Sequence, residues 1–84
     1  MADILYFASL AEDLGRKSET FELPPDCNTV TDLVALLRSR GAPFADAFDG
    51  SVRILVAINQ EMSEPAAEIR DSDEIAFFPP VTGG

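Results

Sequence analysis

The residues best suited to chemistry stand at the end of the sequence, in Phe77-Phe78-Pro79-Pro80-Val81-Thr82-Gly83-Gly84. Pro79 and Pro80 lack a backbone N–H and hold φ near the polyproline value. Strand pairing therefore stops at them, and residues 79–84 are expected to leave the body as a flexible, extended tail. Gly83 and Gly84 carry no Cβ, so they fit a channel too narrow for any other residue and allow close approach of another backbone. A terminal carboxylate with no side chain beside it can be presented inside a partner's active site, adenylated there and then attacked by a nucleophile. A carboxylate alone is inert to nucleophiles, so this chemistry requires an activator from outside the chain. The plain alternative is a frayed terminus with no chemistry.

The remaining candidates are poor. The sequence contains no histidine, so it lacks the side chain suited to proton transfer near neutral pH and the usual base of a serine or cysteine triad. The single cysteine, Cys27, cannot form an internal disulfide and has no cysteine or histidine companion for a structural metal site. It sits in a turn-like Pro-Asp-Cys-Asn segment. Asp71, Asp73 and Glu74 are grouped carboxylates, and such a group in a polar turn reads as a solvated loop before it reads as an acid–base pair. No independent catalysis and no metal are expected.

Eighty-four residues allow one domain, which at this length buries somewhat more than about 60% of its unfolded surface. The net charge of −9, from 15 acidic and 6 basic residues, opposes binding to a phosphate backbone, so nucleic acid is not an expected partner. The same field suits a basic surface, and it also suits simple solubility. No apolar run approaches a membrane span, and residues 1–10 lack the pattern of a secretory signal. A cytoplasmic protein without membrane attachment is expected.

The elements that must position the tail follow from periodicity. Residues 3–8 fit a strand with Ile4 and Tyr6 on one face and Leu5 and Phe7 on the other. Large apolar groups on both faces require that Leu5 or Phe7 be covered, either from outside the chain or by the following segment folding back over the strand. Ser9 to Gly15 reads as one or two helical turns, with Leu10 and Leu14 spaced i, i+4 and a glycine cap. Residues 17–23 alternate as a half-buried strand, with Phe21 and Leu23 apolar, and Pro24-Pro25 ends it. Residues 29–40 carry a capping box, Thr29 with Asp32, and place Val30, Leu33, Val34 and Leu37 on one face. Arg38 and Arg40 fall in the last turn of this main helix, and Gly41 closes it.

Phe44 and Phe48 then suit a short core-facing helical turn, followed by an Asp49-Gly50 turn. Residues 53–58 form an apolar strand, Asn59-Gln60 bends into a short strand at Glu61 to Ser63, and Asp71-Ser72-Asp73 turns into a last strand, Glu74 to Phe78. This order fits an α+β domain with one main helix packed across a mixed sheet.

The terminal octapeptide, together with Leu5-Tyr6-Phe7-Ala8, Thr29-Val30, Asn59-Gln60, Asp73-Glu74 and Ala76 to Gly84, resembles the small, sulfur-carrying subunits of molybdopterin synthase, the MoaD family. The resemblance implies a ubiquitin-like β-grasp domain over residues 1–78 and a tail over 79–84. It implies a non-catalytic carrier of a heteromeric sulfurtransferase. A ubiquitin-activating-like adenylyltransferase would use ATP to activate Gly84, which becomes a thiocarboxylate, while Gly83 provides clearance. The tail would enter the large subunit of molybdopterin synthase and give its sulfur to cyclic pyranopterin monophosphate. Phe7, Met62 and Phe78 match apolar interface positions, and Pro79, Pro80, Val81 and Thr82 accompany the tail into the partner. A heterotetramer of two small and two large subunits is implied, with no cofactor bound to this chain.

Two residues depart from the pattern: Ala11 stands where relatives can carry an arginine that contacts the partner, and Ser72 replaces a glycine common in the turn before the last strand. Three other readings use the same fold or tail. They are a protein modifier joined through Gly84 to lysines, a sulfur carrier for thiamine biosynthesis, and a binding module whose tail has no chemistry. The only lysine, Lys17, would limit self-linked chains to one site.

Overall fold

The alternation near the N-terminus builds β1 (Ala2–Tyr6), whose even-numbered residues are buried. It is followed by α1 (Ala8–Leu14), β2 (Ser18–Phe21), α2 (Val30–Arg38), α3 (Phe44–Ala47), β3 (Leu55–Ile58), β4 (Glu61–Ser63) and β5 (Glu74–Phe78). The computed structural model describes residues 1–50 and 53–80. The strands form one mixed sheet in the order β2-β1-β5-β3-β4. β5 sits at its centre, parallel to β1 and antiparallel to β3.

All three helices send their buried residues to the same face of the sheet. Leu10 and Leu14 of α1, Val30, Leu33 and Leu37 of α2, and Phe44 of α3 join Ile4, Tyr6, Val56, Ile75 and Phe77 in a single core cluster. Phe77 is central to it, stacked on Tyr6 at 6.4 Å and meeting Phe48 edge-on at 5.3 Å. The capping box forms as the sequence predicts: Asp32 N donates to Thr29 Oγ1 at 3.2 Å, and Thr29 N donates to Asp32 Oδ2 at 3.1 Å.

Several boundaries shift for identifiable reasons. β1 ends at Tyr6, not at residue 8, because Ala8 takes a φ of 53° that breaks the extended run where α1 begins. α1 closes at Gly15, whose φ of 71° lets its N–H reach Ala11 O and Glu12 O. α2 stops at Arg38 with Ser39 as its cap, so Arg40 lies beyond the helix. The Arg40 guanidinium donates to both carboxylate oxygens of Glu19, at 2.8 and 2.9 Å, and stacks over Phe21 and Phe44. This charged and aromatic anchor on β2 and α3 takes the place of the helical last turn expected from periodicity alone. Asn59 and Gln60 both adopt left-handed φ, 51° and 70°, in the tight hairpin joining β3 to β4.

Candidate functional site

Register places a second row of side chains on the face away from the helices. Leu5 lies opposite Ala76, Ala76 opposite Ala57, and Ala57 opposite Met62, so these four share one side of the sheet. Two residues further along each strand, Phe7, Phe78 and Leu55 continue the same side. None of these seven belongs to the core cluster. Ala57 and Ala76 are themselves buried, but their methyl groups keep the middle of the face low. Phe7 is 48% exposed and Met62 62% exposed at its margins.

Phe7 is held where it can act with Phe78. Its N–H donates to Phe77 O at 3.1 Å, which extends the β1–β5 pairing one step beyond β1, and its ring meets that of Phe78 edge-on at 6.5 Å. β5 then delivers Pro79 and Pro80 immediately after this aromatic pair. Pro79 also lines a hollow of about 170 Å³ between α1 and α3, with Leu10, Asp13, Asp46 and Ile54. The structure thus brings Phe7, Phe78, Pro79 and Pro80 together at the end of β5 and sets Met62 across the face on β4. Val81, Thr82, Gly83 and Gly84, which carry the proposed chemistry, lie outside the described residues.

The alternative reactive groups have structural employment. Cys27 is buried; burial pushes its thiol up, and the Asp32 and Asp26 carboxylates push it further, so it stays a protonated, weak nucleophile near neutral pH. Asp71 accepts the N–H of Leu23 at 2.8 Å, which holds its carboxyl below the usual range. Asp73 accepts from Arg70 N at 2.8 Å and from Asn59 Nδ2 at 2.9 Å, and Glu74 N donates to Asn59 Oδ1 at 3.0 Å. Through Asn59, the Asp73 carboxylate and the Glu74 N–H tie the β3–β4 hairpin to the turn that launches β5. Ser72 fits that turn without a positive φ, so replacing glycine there strains nothing. Ala11 opens onto a hollow beside Phe7.

Sequence reading identified the margins of the open face and missed its middle. Leu55, Ala57 and Ala76 were not singled out, although an apolar run at 53–58 on a strand covered by helices on one side only was the available signal.

One face of the sheet is sealed by helices, and the other is apolar and open beside the strand that leads to a diglycine ending. That architecture is a ubiquitin-like β-grasp domain. The family model described as the ThiS family matches residues 4–84, and the chain belongs to that family. It is 37% identical over 84 residues to the molybdopterin synthase sulfur carrier subunit of Haemophilus influenzae, and 34% identical over 84 residues to that of Escherichia coli, covering 100% of both chains in each case. Among solved structures it resembles small archaeal modifier protein 1 of Haloferax volcanii, with a TM-score of 0.74 and 28% identity over 99% of this chain and 98% of that one. Among the described residues, no helix is long and apolar enough to cross a membrane.

Proposed function

We propose that this chain is the sulfur-carrier small subunit of a molybdopterin synthase, working in the cytoplasm. The observation that carries the reading is the full-length likeness to sulfur carrier subunits in a chain whose central strand runs past an apolar open face into the diglycine tail. An adenylyltransferase of the ubiquitin-activating type uses ATP to convert the Gly84 carboxylate to an acyl adenylate, and sulfur replaces AMP to leave a thiocarboxylate. Leu5, Phe7, Met62 and Phe78 dock on the large subunit, and the tail enters its active site. There the thiocarboxylate gives sulfur to cyclic pyranopterin monophosphate. A thiocarboxylate left in solvent hydrolyses, so enclosure of the tail both protects and positions it. The body supplies binding and orientation; the acid–base groups belong to the large subunit, with which the chain forms a heterotetramer.

The test is the intact mass of the protein after incubation with the activating enzyme, ATP and a sulfur donor, with a variant lacking Gly84 as control. A gain equal to exchanging one oxygen for one sulfur, absent in the control, is expected. No gain with an activating enzyme proven on another carrier defeats the reading. Likeness to an archaeal modifier protein favours one alternative, conjugation through Gly84 to lysines of other proteins. Gly84–lysine adducts in cell extract, without loading by sulfur, would select it.

A further inference from the structure

The open face carries a pattern in its own register. Its apolar side chains stand in two rows across the sheet, one strand period of about 7 Å apart. One row holds Phe7, Phe78 and Leu55, and the other holds Leu5, Ala76 and Ala57. On β5 and β3 the first row is large and the second is only a pair of methyl groups. Beyond the large row stands Arg53, two residues before Leu55, and beyond the small row stands Glu74, two residues before Ala76. Neither of these side chains takes part in an ion pair among the described residues.

A face of this kind is complementary to itself. A second copy turned about an axis that lies between the rows, in the plane of the face and perpendicular to the strands, runs antiparallel to the first and sets each row on the opposite row. Phe78 of each copy then lies over Ala76 of the other, Leu55 over Ala57 and Phe7 over Leu5, so bulk meets hollow at the usual spacing of about 10 Å between packed sheets. The same operation brings Arg53 of each copy beside Glu74 of the other. An axis along β5 instead stacks Phe78 on Phe78 and Glu74 on Glu74, which sets large on large and like charge on like. The net charge of −9 on each copy opposes association at long range, so the pairing is a weak one, filled only at high concentration.

We propose that the free chain pairs with a second copy of itself through the open face, in this antiparallel arrangement. The pairing covers the surface that the large subunit needs until that subunit displaces the second copy, and this consequence alone rests on the proposed function. The test is sedimentation equilibrium of the full chain over a concentration series up to about 1 mM, with Phe78→Ala, Arg53→Glu and Glu74→Arg variants. A dimer is expected, weakened at least about tenfold by each single variant. An equimolar mixture of Arg53→Glu and Glu74→Arg is expected to regain the parent's affinity as a mixed dimer, because both of its contacts then join opposite charges. A folding defect in either variant gives no such recovery, and unfolding curves accompany Phe78→Ala. Added large subunit is expected to replace the dimer by its own complex. A parent chain that stays monomeric throughout overturns the inference, as does a dimer that persists in Phe78→Ala or two charge variants that fail to recover on mixing. A large subunit that binds with the dimer intact overturns the shared use of the face. Each of these results leaves the sulfur-loading test of the proposed function standing, whereas failure to load sulfur in a chain that does form the dimer defeats that function alone.

Discussion

Phe77 and Phe78 are neighbours in the chain and opposites in use. Phe77 is 1% exposed, gripped by Tyr6 and Phe48 beneath the helices. Phe78 faces the other way, beside Phe7 on a surface that no helix of the core cluster covers. The same strand, with the same period of two, serves folding on one side and, in the proposed function, recognition on the other. A domain of this size has little apolar material to spare, and an unsealed face carrying Leu5, Phe7, Leu55, Met62 and Phe78 suits the docking proposed for it.

The sharpest way to break that contrast is to truncate both rings. Phe77→Ala is expected to cost about 3–5 kcal/mol by removing a buried ring whose site cannot fully collapse, measured by urea unfolding. That is a large part of a small domain's total stability. Phe7→Ala should change stability by less than about 0.5 kcal/mol while weakening the large-subunit complex by about 2 kcal/mol, as aromatic anchors at interfaces do. If Phe7→Ala destabilised the free chain as Phe77→Ala does, the open face would be part of the core and the division of labour would be wrong. Met62→Asp is a weaker probe in the same direction, since Met62 lies at the margin on β4.

The core side has its own polar seam. The Tyr6 hydroxyl donates to Glu19 Oε2 at 2.7 Å, and Arg40 holds the same carboxylate from α2's end. Burial, then the hydrogen bond to Glu19, pushes the phenol pKa far up. A group whose pKa is raised on folding contributes stability that is complete below its unfolded pKa, about 10 for tyrosine, and lost as pH climbs from there towards the folded value. Stability of the parent chain should therefore fall with alkaline pH, and Tyr6→Phe should flatten that fall while costing about 1–2 kcal/mol at neutral pH. Tyr6 is the only tyrosine, so its phenolate absorbance reports the titration directly. Ordinary ionisation near pH 10 in the folded protein would mean the seam is open to water.

How much of this was legible beforehand depends on whether the signal was local. The capping box, the i, i+3, i+4 stripe of α2 and the Asn59-Gln60 hairpin are decided within a few residues, and they appear as expected. Arg40 continued the helical pattern on paper, but Glu19, Phe21 and Phe44 hold it from other elements, and sequence spacing carries no trace of them. Alternation in β1 distinguished two faces and flagged Leu5 and Phe7 as surplus. It could not assemble the face, because Ala57 and Ala76 join it only through the pairing of β3 and β5. Recognition of the terminal octapeptide proposed the tail as the site, whose residues 81–84 lie outside the described ones, while the hollow beside Lys17 arises from tertiary placement of α1 against β1 and β2.

A modest effect is expected at the start of α2, on the helix-covered side of the sheet, and it tests whether the two sides are energetically separate. Thr29→Ala removes the hydroxyl that accepts from Asp32 N and should cost about 1 kcal/mol. Asp32 is held below the usual carboxylate range, first by the Asn28 N–H donated to it at 3.0 Å and, against an opposing desolvation, by Thr29. A depressed pKa means that its stabilising effect is present above the unfolded carboxylate pKa and is lost as pH falls through the folded value. Asp32→Asn should therefore reduce the acid-side slope of stability, with the neutral-pH affinity for the large subunit unchanged. Changed affinity in either cap variant, at a temperature where both are folded, would show that α2 transmits strain through the sheet to Phe7 and Phe78, and the two faces would have to be treated as one coupled unit.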